Sequence, residues 1–541
     1  MAISEANRRG RINRKLAGLT LAVLGRVFAI GFAAVAVAEA EGRLRVEIYD
    51  KTTAQAVNAR CYLTDAANKF WAPEAVLQYD KPPERHFIAA GKFEISLPPG
   101  RYKLEVERGP EYRAVAREIE TATGAARREK IELERWINMN ERGWFSGDLH
   151  NHRSWREMPM LLLAEDLNLA PTLTQWVWEN DLKTVAPPTS VAGPAVHVVD
   201  ATHAYSVYDT EIERLEDGPG AVDLVGLRSP LDFQGYLVSP TNTVFAQGAH
   251  QQGGYVDAEK ITWRDVAALV ALGDVDFGGL VYNHFNRHGV ETETAPWGMI
   301  PKENPDYETP AGMALWAMSI YYRFLNCGFR LAASAGSASG VKPSPLGFER
   351  VYVHLTGDFS YAEWFRALKQ GRSFATNGPM LFLTVNGSEP GDTIRLSDQG
   401  GAAQSKARKL KVHVEASSAA PLDGIQVVWR GKVVKSASPG PDPTRAVADC
   451  ELDASETGWV AARAFEKPAA SVRFAHTSPV YVQVGKRQGT VPEDARFFVQ
   501  WIDREVEFYK GYPGFRSERD RDAMLEMYRR ARAVYERLAK P

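Results

Sequence analysis

From residue 43 onward, Leu44, Val46 and Ile48 alternate with charged positions, the two-residue period of a strand with one buried face. The alternation returns at Phe93, Ile95 and Leu97 and, after Pro98-Pro99-Gly100, at Tyr102, Leu104 and Val106, which predicts a hairpin. Ile131 and Leu133 add a last strand, so residues 41–136 read as a small β-sandwich. Between 137 and 380, short apolar runs alternate with helical stretches such as Trp263 to Leu272 and Ala314 to Cys327, the arrangement of an α/β layer or barrel. Strands resume at Leu381 to Val385, Leu410 to Val414, Ile425 to Trp429, Trp459 to Ala464 and Val480 to Val484, predicting a second β-sandwich over 381–487. The tail, 488–541, carries two helices, and Phe498, Ile502, Val506 and Tyr509 form a stripe suited to docking on the body.

The first 40 residues follow a different pattern. Arg8, Arg9, Arg11, Arg14 and Lys15 precede an apolar run from Leu16 to Ala38 that ends in small residues, the order of a secretory signal. This places the mature chain in the periplasm or outside the cell. The alternative, an uncleaved membrane anchor, has to place Arg26 inside the bilayer. Composition adds exclusions. Lys plus Arg number 65 and Asp plus Glu 67, a net charge of −2, so no basic field attracts nucleic acid. Three distant cysteines offer neither a disulfide framework nor a zinc knuckle, so a metal site has to use histidine and carboxylate.

Seven of the eleven histidines fall between 150 and 288. His150 and His152 stand two apart in Gly147-Asp148-Leu149-His150-Asn151-His152, a spacing that turns both imidazoles to one side of a strand, where they can share an ion. Gly336-Ser337-Ala338-Ser339-Gly340 has the glycines of a nucleophile elbow but alanine at its centre, and there is no Walker A loop or dinucleotide fingerprint.

The run Gly147 to His152 resembles the opening motif of the PHP superfamily (polymerase and histidinol phosphatase). Ala164-Glu165-Asp166-Leu167, Tyr282-Asn283-His284, Tyr321 to Gly328 and Gly371 to Pro379 resemble its CehA/McbA-like metallohydrolase branch, and Phe474 to Pro479 does so more loosely. The resemblance implies a distorted TIM-like barrel over 137–380, flanked by the two β-sandwiches and followed by the helical tail. It implies His150, His152, Glu157, Glu211 (or Glu213) and His284 as metal ligands. Departures accompany it: Trp176 stands where the branch carries a histidine, Gly253-Gly254-Tyr255 lacks the following His-Pro, and Ala338-Ser339-Gly340 replaces a late Asp-x-His. These losses leave donors for one or two divalent ions, zinc, manganese or iron.

The function implied is an exported hydrolase that cleaves an ester-like bond (phosphoester, carboxylester or carbamate) in a small-molecule or polymer substrate through metal-activated water. Asp257 or Glu259 is the candidate general base. Arg153, Lys260, Arg287 and His288 are candidates for stabilising negative charge. The alternative is a binding protein for a glycan or another extracytoplasmic ligand, built on the same scaffold with a decayed centre.

Overall fold

The computed structural model describes residues 41–178, 183–184, 193–214, 218–231, 238–294, 298–397 and 409–540; the predicted signal segment lies outside them. The fold is mixed α/β with β-rich flanks. Among the described residues no helix is long and apolar enough to cross a membrane.

Residues 41–136 form two facing sheets, one of three strands and one of five. The strand Gly42–Asp50 buries alternate residues, and Leu44, Val46 and Ile48 lie in the sandwich core. The predicted hairpin does not form. Lys92–Leu97 pairs with Gly42–Asp50 in one sheet, whereas Gly100–Glu107 pairs with Asn58–Asp65 and Val115–Thr121 in the other. Tight hairpin turns need positive φ at their central positions, and proline is locked at negative φ with no N–H to donate, so Pro98-Pro99 carries the chain across the core instead.

The central sheet ladders in the order Ala332–Gly336, Phe277–Tyr282, Tyr255–Asp257, Gly220–Val225, Ala204–Arg214, Leu169–Trp178 and Trp144–Gly147. Gly220–Val225 runs antiparallel to both neighbours, while the other pairs in this series are parallel. No ladder closes the sheet among the described residues. Instead the continuation of Trp144–Gly147 meets that of Ala332–Gly336 through single bonds: Leu149 N to Ala335 O (3.1 Å), Ala338 N to His150 O (2.8 Å) and His152 N to Ser339 O (2.8 Å). Helices pack against the sheet, Asn242–Gln251 on Gly220–Val225 and Tyr255–Asp257, and Pro310–Asn326 on Phe277–Tyr282. In Pro310–Asn326, Thr309 caps by accepting from Gly312 N and Pro310 opens the first turn, where its missing N–H costs nothing.

Hydrogen bonding does not break at residue 380. Arg350–His354 pairs with Trp144–Gly147, and Ser373–Thr376 joins Phe474–Thr477 of the C-terminal β-region. A separate three-stranded sheet of Met380–Val385, Lys409–Ser417 and Arg445–Asp453 packs in that region. The tail helices Pro492–Gly511 and Glu518–Leu538 dock as their stripe predicts: Phe498, Ile502 and Tyr509 are fully buried, and Trp501 Nε1 donates to Arg264 O at 2.9 Å.

Candidate metal centre

The loop after Trp144–Gly147 is pinned by Asp148, whose buried carboxylate accepts from Ser337 N, Ser337 Oγ, Gly347 N and His150 N. Two glycines allow the opposing turn to approach. A Cβ on Gly336 would lie 2.4 Å from His150 Cβ, and one on Gly340, which also has φ +104°, would lie 2.8 Å from the His152 carbonyl.

Held in this way, His150 and His152 turn to the same side and bring their Nε2 atoms to 2.9 Å. Glu211, from Ala204–Arg214, places Oε2 2.9 Å from His152 Nε2 and Oε1 3.5 Å from His150 Nε2. The three donor atoms form a compact triangle, all within 4.8 Å of one another. Ligands of a tetrahedral zinc ion with bonds of about 2.0–2.1 Å stand about 3.3 Å apart, so the triangle has the size of one coordination face. Both oxygens of Glu211 are buried and neither accepts a hydrogen bond of normal geometry, so its charge is balanced by the adjacent imidazoles of His150 and His152.

Acids crowd the same region. Cross-strand register sets Glu211 opposite Asp223 and Asp223 opposite Asp257, a row of three carboxyl groups over three adjacent strands. Burial raises Asp223 well above the ordinary carboxyl range, and Glu211 and Glu259 push it further. Burial also raises Asp257 to about 7 and, with Glu211 beside it, Glu213 to about 8. Burial would depress His150, but the neighbouring acids, Asp223 and then Glu211, outweigh it and hold the imidazole well above its ordinary value, sharing a proton with it. Against its own burial, Glu211 is kept well below the usual range, chiefly by His150. Such a surplus of acid favours either protonation or a bound cation.

A cavity of about 160 Å³ opens beside the triangle, lined by His150, His152 and Glu211 together with Glu213, Lys260, Asn283, His284, Trp176 and Lys342. His284 shares the cavity without joining the compact triangle. Burial, then Lys260 and Lys342, depress its pKa well below the ordinary value, which keeps the imidazole neutral, the form that binds metal.

The other predicted site residues are placed as follows. Glu259 lies against His150, but its oxygens are engaged: Oε1 accepts from His150 Nδ1 (3.0 Å), Asn283 Nδ2 (3.2 Å) and Lys260, and Oε2 from Lys260 and Trp263 Nε1 (2.7 Å). With its lone pairs taken and its pKa lowered against burial, first by Lys260, it orients His150 and is unsuited to take a proton from water. Asp257 accepts from Ser334 Oγ at 2.8 Å and does not line the cavity. Lys260 does line it. Glu157 does not join the ligands; it pairs with Arg153 at 2.9 Å, and the Arg153 guanidinium stacks over Tyr79. Arg287 and His288 turn away to the N-terminal sandwich, Arg287 to Glu105 (3.1 Å) and Glu107 (2.5 Å), His288 to Glu84 (2.7 Å). Their partners lie some 180 to 204 residues away in sequence, beyond the reach of any local pattern.

Sequence reasoning missed Asp223, Asn283 and Lys342 as site residues. Asp223 left a signal, a single acid inside the apolar run Ala221-Val222-Asp223-Leu224-Val225, whereas Lys342 left none. Trp176 forms a wall: its ring lies 4.7 Å from that of His152, and Nε1 donates to Glu213 Oε2 at 3.2 Å.

No protein family and no curated protein matches the chain. Among solved structures, the Bacillus anthracis TIE protein is 12% identical over 21% of this chain and 19% of its own length, with a TM-score of 0.15. The N-terminal four Ig domains of Dscam1 isoform 8.4 are 6% identical over 82% of this chain and all of that one, with a TM-score of 0.12. Likeness of this size carries no argument about fold or function.

Proposed function

We propose that the protein is an exported metal-dependent hydrolase, a distant relative of the PHP superfamily, that cleaves an ester-like bond. The His150–His152–Glu211 triangle carries this reading: a buried set of two imidazoles and a carboxylate that fits a first-row divalent ion such as zinc, manganese or iron. Kinship with the distorted barrels of that superfamily is supported by the mostly parallel sheet and by the single bonds linking 149–152 to 335–339. Export is supported by the basic-then-apolar order of residues 8–38.

An ion held by these residues would supply Lewis acidity and lower the pKa of water. The protein's own groups supply the remainder. Glu259 fixes the His150 ring through Nδ1. Glu213, raised to about 8 and facing the cavity, holds a proton at its carboxyl group near neutral pH. Lys260 and Lys342 place positive charge on the cavity wall, suited to an anionic ester group.

A second reading, a ligand-binding protein with a decayed centre, is favoured by Trp176 filling a ligand position beside His152. Metal analysis separates the two. The purified protein is expected to carry one ion per chain that is lost in His150→Ala/His152→Ala, with turnover on a phosphoester, carboxylester and carbamate panel. Metal-free protein whose melting is unchanged by zinc, manganese or iron would overturn the hydrolase.

A further inference from the structure

The turn at 338–342 holds both candidate histidines by their backbones. Ala338 N donates to His150 O and His152 N donates to Ser339 O, each at 2.8 Å, while Gly340 packs against the His152 main chain. This turn is in turn gripped by the N-terminal β-sandwich. The Tyr79 hydroxyl, on the strand Leu77–Lys81, donates to Lys342 O at 2.5 Å and accepts from Gly340 N at 3.0 Å. Lys81 Nζ donates to Val341 O at 2.9 Å. The Tyr79 ring also carries the guanidinium of Arg153, the residue after His152, 4.7 Å above it. The sandwich grips a second wall of the cavity as well, because Glu84 binds His288 and Glu105 and Glu107 bind Arg287, just beyond His284.

We infer that Tyr79 is a positioning residue of the metal centre: its hydroxyl fixes the 338–342 turn and, through it, the spacing of His150 and His152. The N-terminal sandwich is then a working part of the site. This rests on the proposed metal binding at the triangle. A hydroxyl that donates once and accepts once clamps both sides of a turn, and loss of an outer-shell clamp lets ligands drift from the geometry the ion requires.

The test uses the full chain with Tyr79→Phe, which keeps the ring and removes the hydroxyl. Its control is Tyr102→Phe, which removes a hydroxyl donating to Pro98 O at 2.9 Å elsewhere in the same sandwich. Cobalt(II) titration is read by visible absorption, and hydrogen exchange is measured on peptides covering 149–152 and 338–342. Tyr79→Phe is expected to weaken cobalt(II) binding about tenfold, the lower end for outer-shell losses, to alter the absorption spectrum, and to speed exchange in both peptides. Tyr102→Phe is expected to leave all three as in wild type. Unchanged cobalt(II) binding in Tyr79→Phe, or equal effects of the two variants, would overturn the inference. If the wild type takes up no cobalt(II), the metal reading falls separately and exchange alone decides: faster exchange in Tyr79→Phe alone sustains the clamp, and unchanged exchange ends it.

Discussion

Glu259 carries a signal that its sequence neighbourhood does not reveal. The adjacent Lys260 suggests an exposed ion pair, yet the side chain is buried and accepts from His150, Asn283, Lys260 and Trp263. A glutamine there would present N–H to a ring of donors and leave the Lys260 ammonium without its anion. Glu259→Gln should therefore lower metal affinity by about 10–100-fold and destabilise the fold by about 3 kcal/mol. Metal titration and denaturant unfolding check the two effects. Adding Lys260→Met should restore much of the stability without the affinity, because only the uncompensated charge is relieved. Unchanged affinity in Glu259→Gln would show that the acid has no part in orienting His150. His150 and His152 were legible as a pair because two-residue spacing is a local property of the strand. Glu157 and Glu211 offer the same carboxylate in sequence, and only packing separates the one bound to Arg153 from the one beside the imidazoles.

At the level of elements, the strand Phe474–Thr477 shows how a motif can be visible while its purpose is not. Its His476 is fully buried, with Nδ1 2.7 Å from Thr477 O and Nε2 2.8 Å from the hydroxyl of Tyr322 on the helix Pro310–Asn326. A neutral ring with its proton on Nδ1 satisfies both contacts; a protonated ring has no lone pair left for the hydroxyl. Burial, with Arg463 nearby, lowers the pKa to about 3, whereas in the unfolded chain it returns to about 6.5. The unfolded state then binds the extra proton as pH falls below about 6.5, so stability is lost between that pH and about 3, at up to about 1.4 kcal/mol per pH unit. Chemical unfolding of His476→Gln between pH 6.5 and 4 should show a shallower loss than wild type by that amount, and equal slopes would refute the burial argument. Periodicity located the tail helices, since one apolar stripe per helix needs no knowledge of the partner. It failed at Pro98-Pro99-Gly100, where two alternating segments of the same period belong to different sheets.

Across the whole molecule, the N-terminal sandwich joins the central region through buried ion pairs. Asp166 binds Arg108 with one oxygen and Arg135 with the other, each at 2.8 Å, and Arg60 pairs with Glu165. Asp166 also ends the helix Met158–Glu165 with φ +48°, a conformation that asparagine tolerates as well as aspartate, so Asp166→Asn removes charge without straining the backbone. It is expected to cost about 3 kcal/mol, the penalty for leaving buried charge unpaired. Because residues from 41 onward pack as one compact unit, calorimetry should show the wild-type sandwich melting together with the centre. A separate early transition for the sandwich would refute that coupling. The amino-acid order by itself determined the alternation of strands and helices, the two docking helices and the paired imidazoles, because each depends on residues a few positions apart. Tertiary structure decided that Asp223 and Asp257 fall in line with Glu211, that Arg287 and His288 serve the sandwich, and that Tyr79 reaches the turn beside the histidines. These follow from register and packing between segments far apart in the chain, where the free energy of a contact depends on partners that no local pattern specifies.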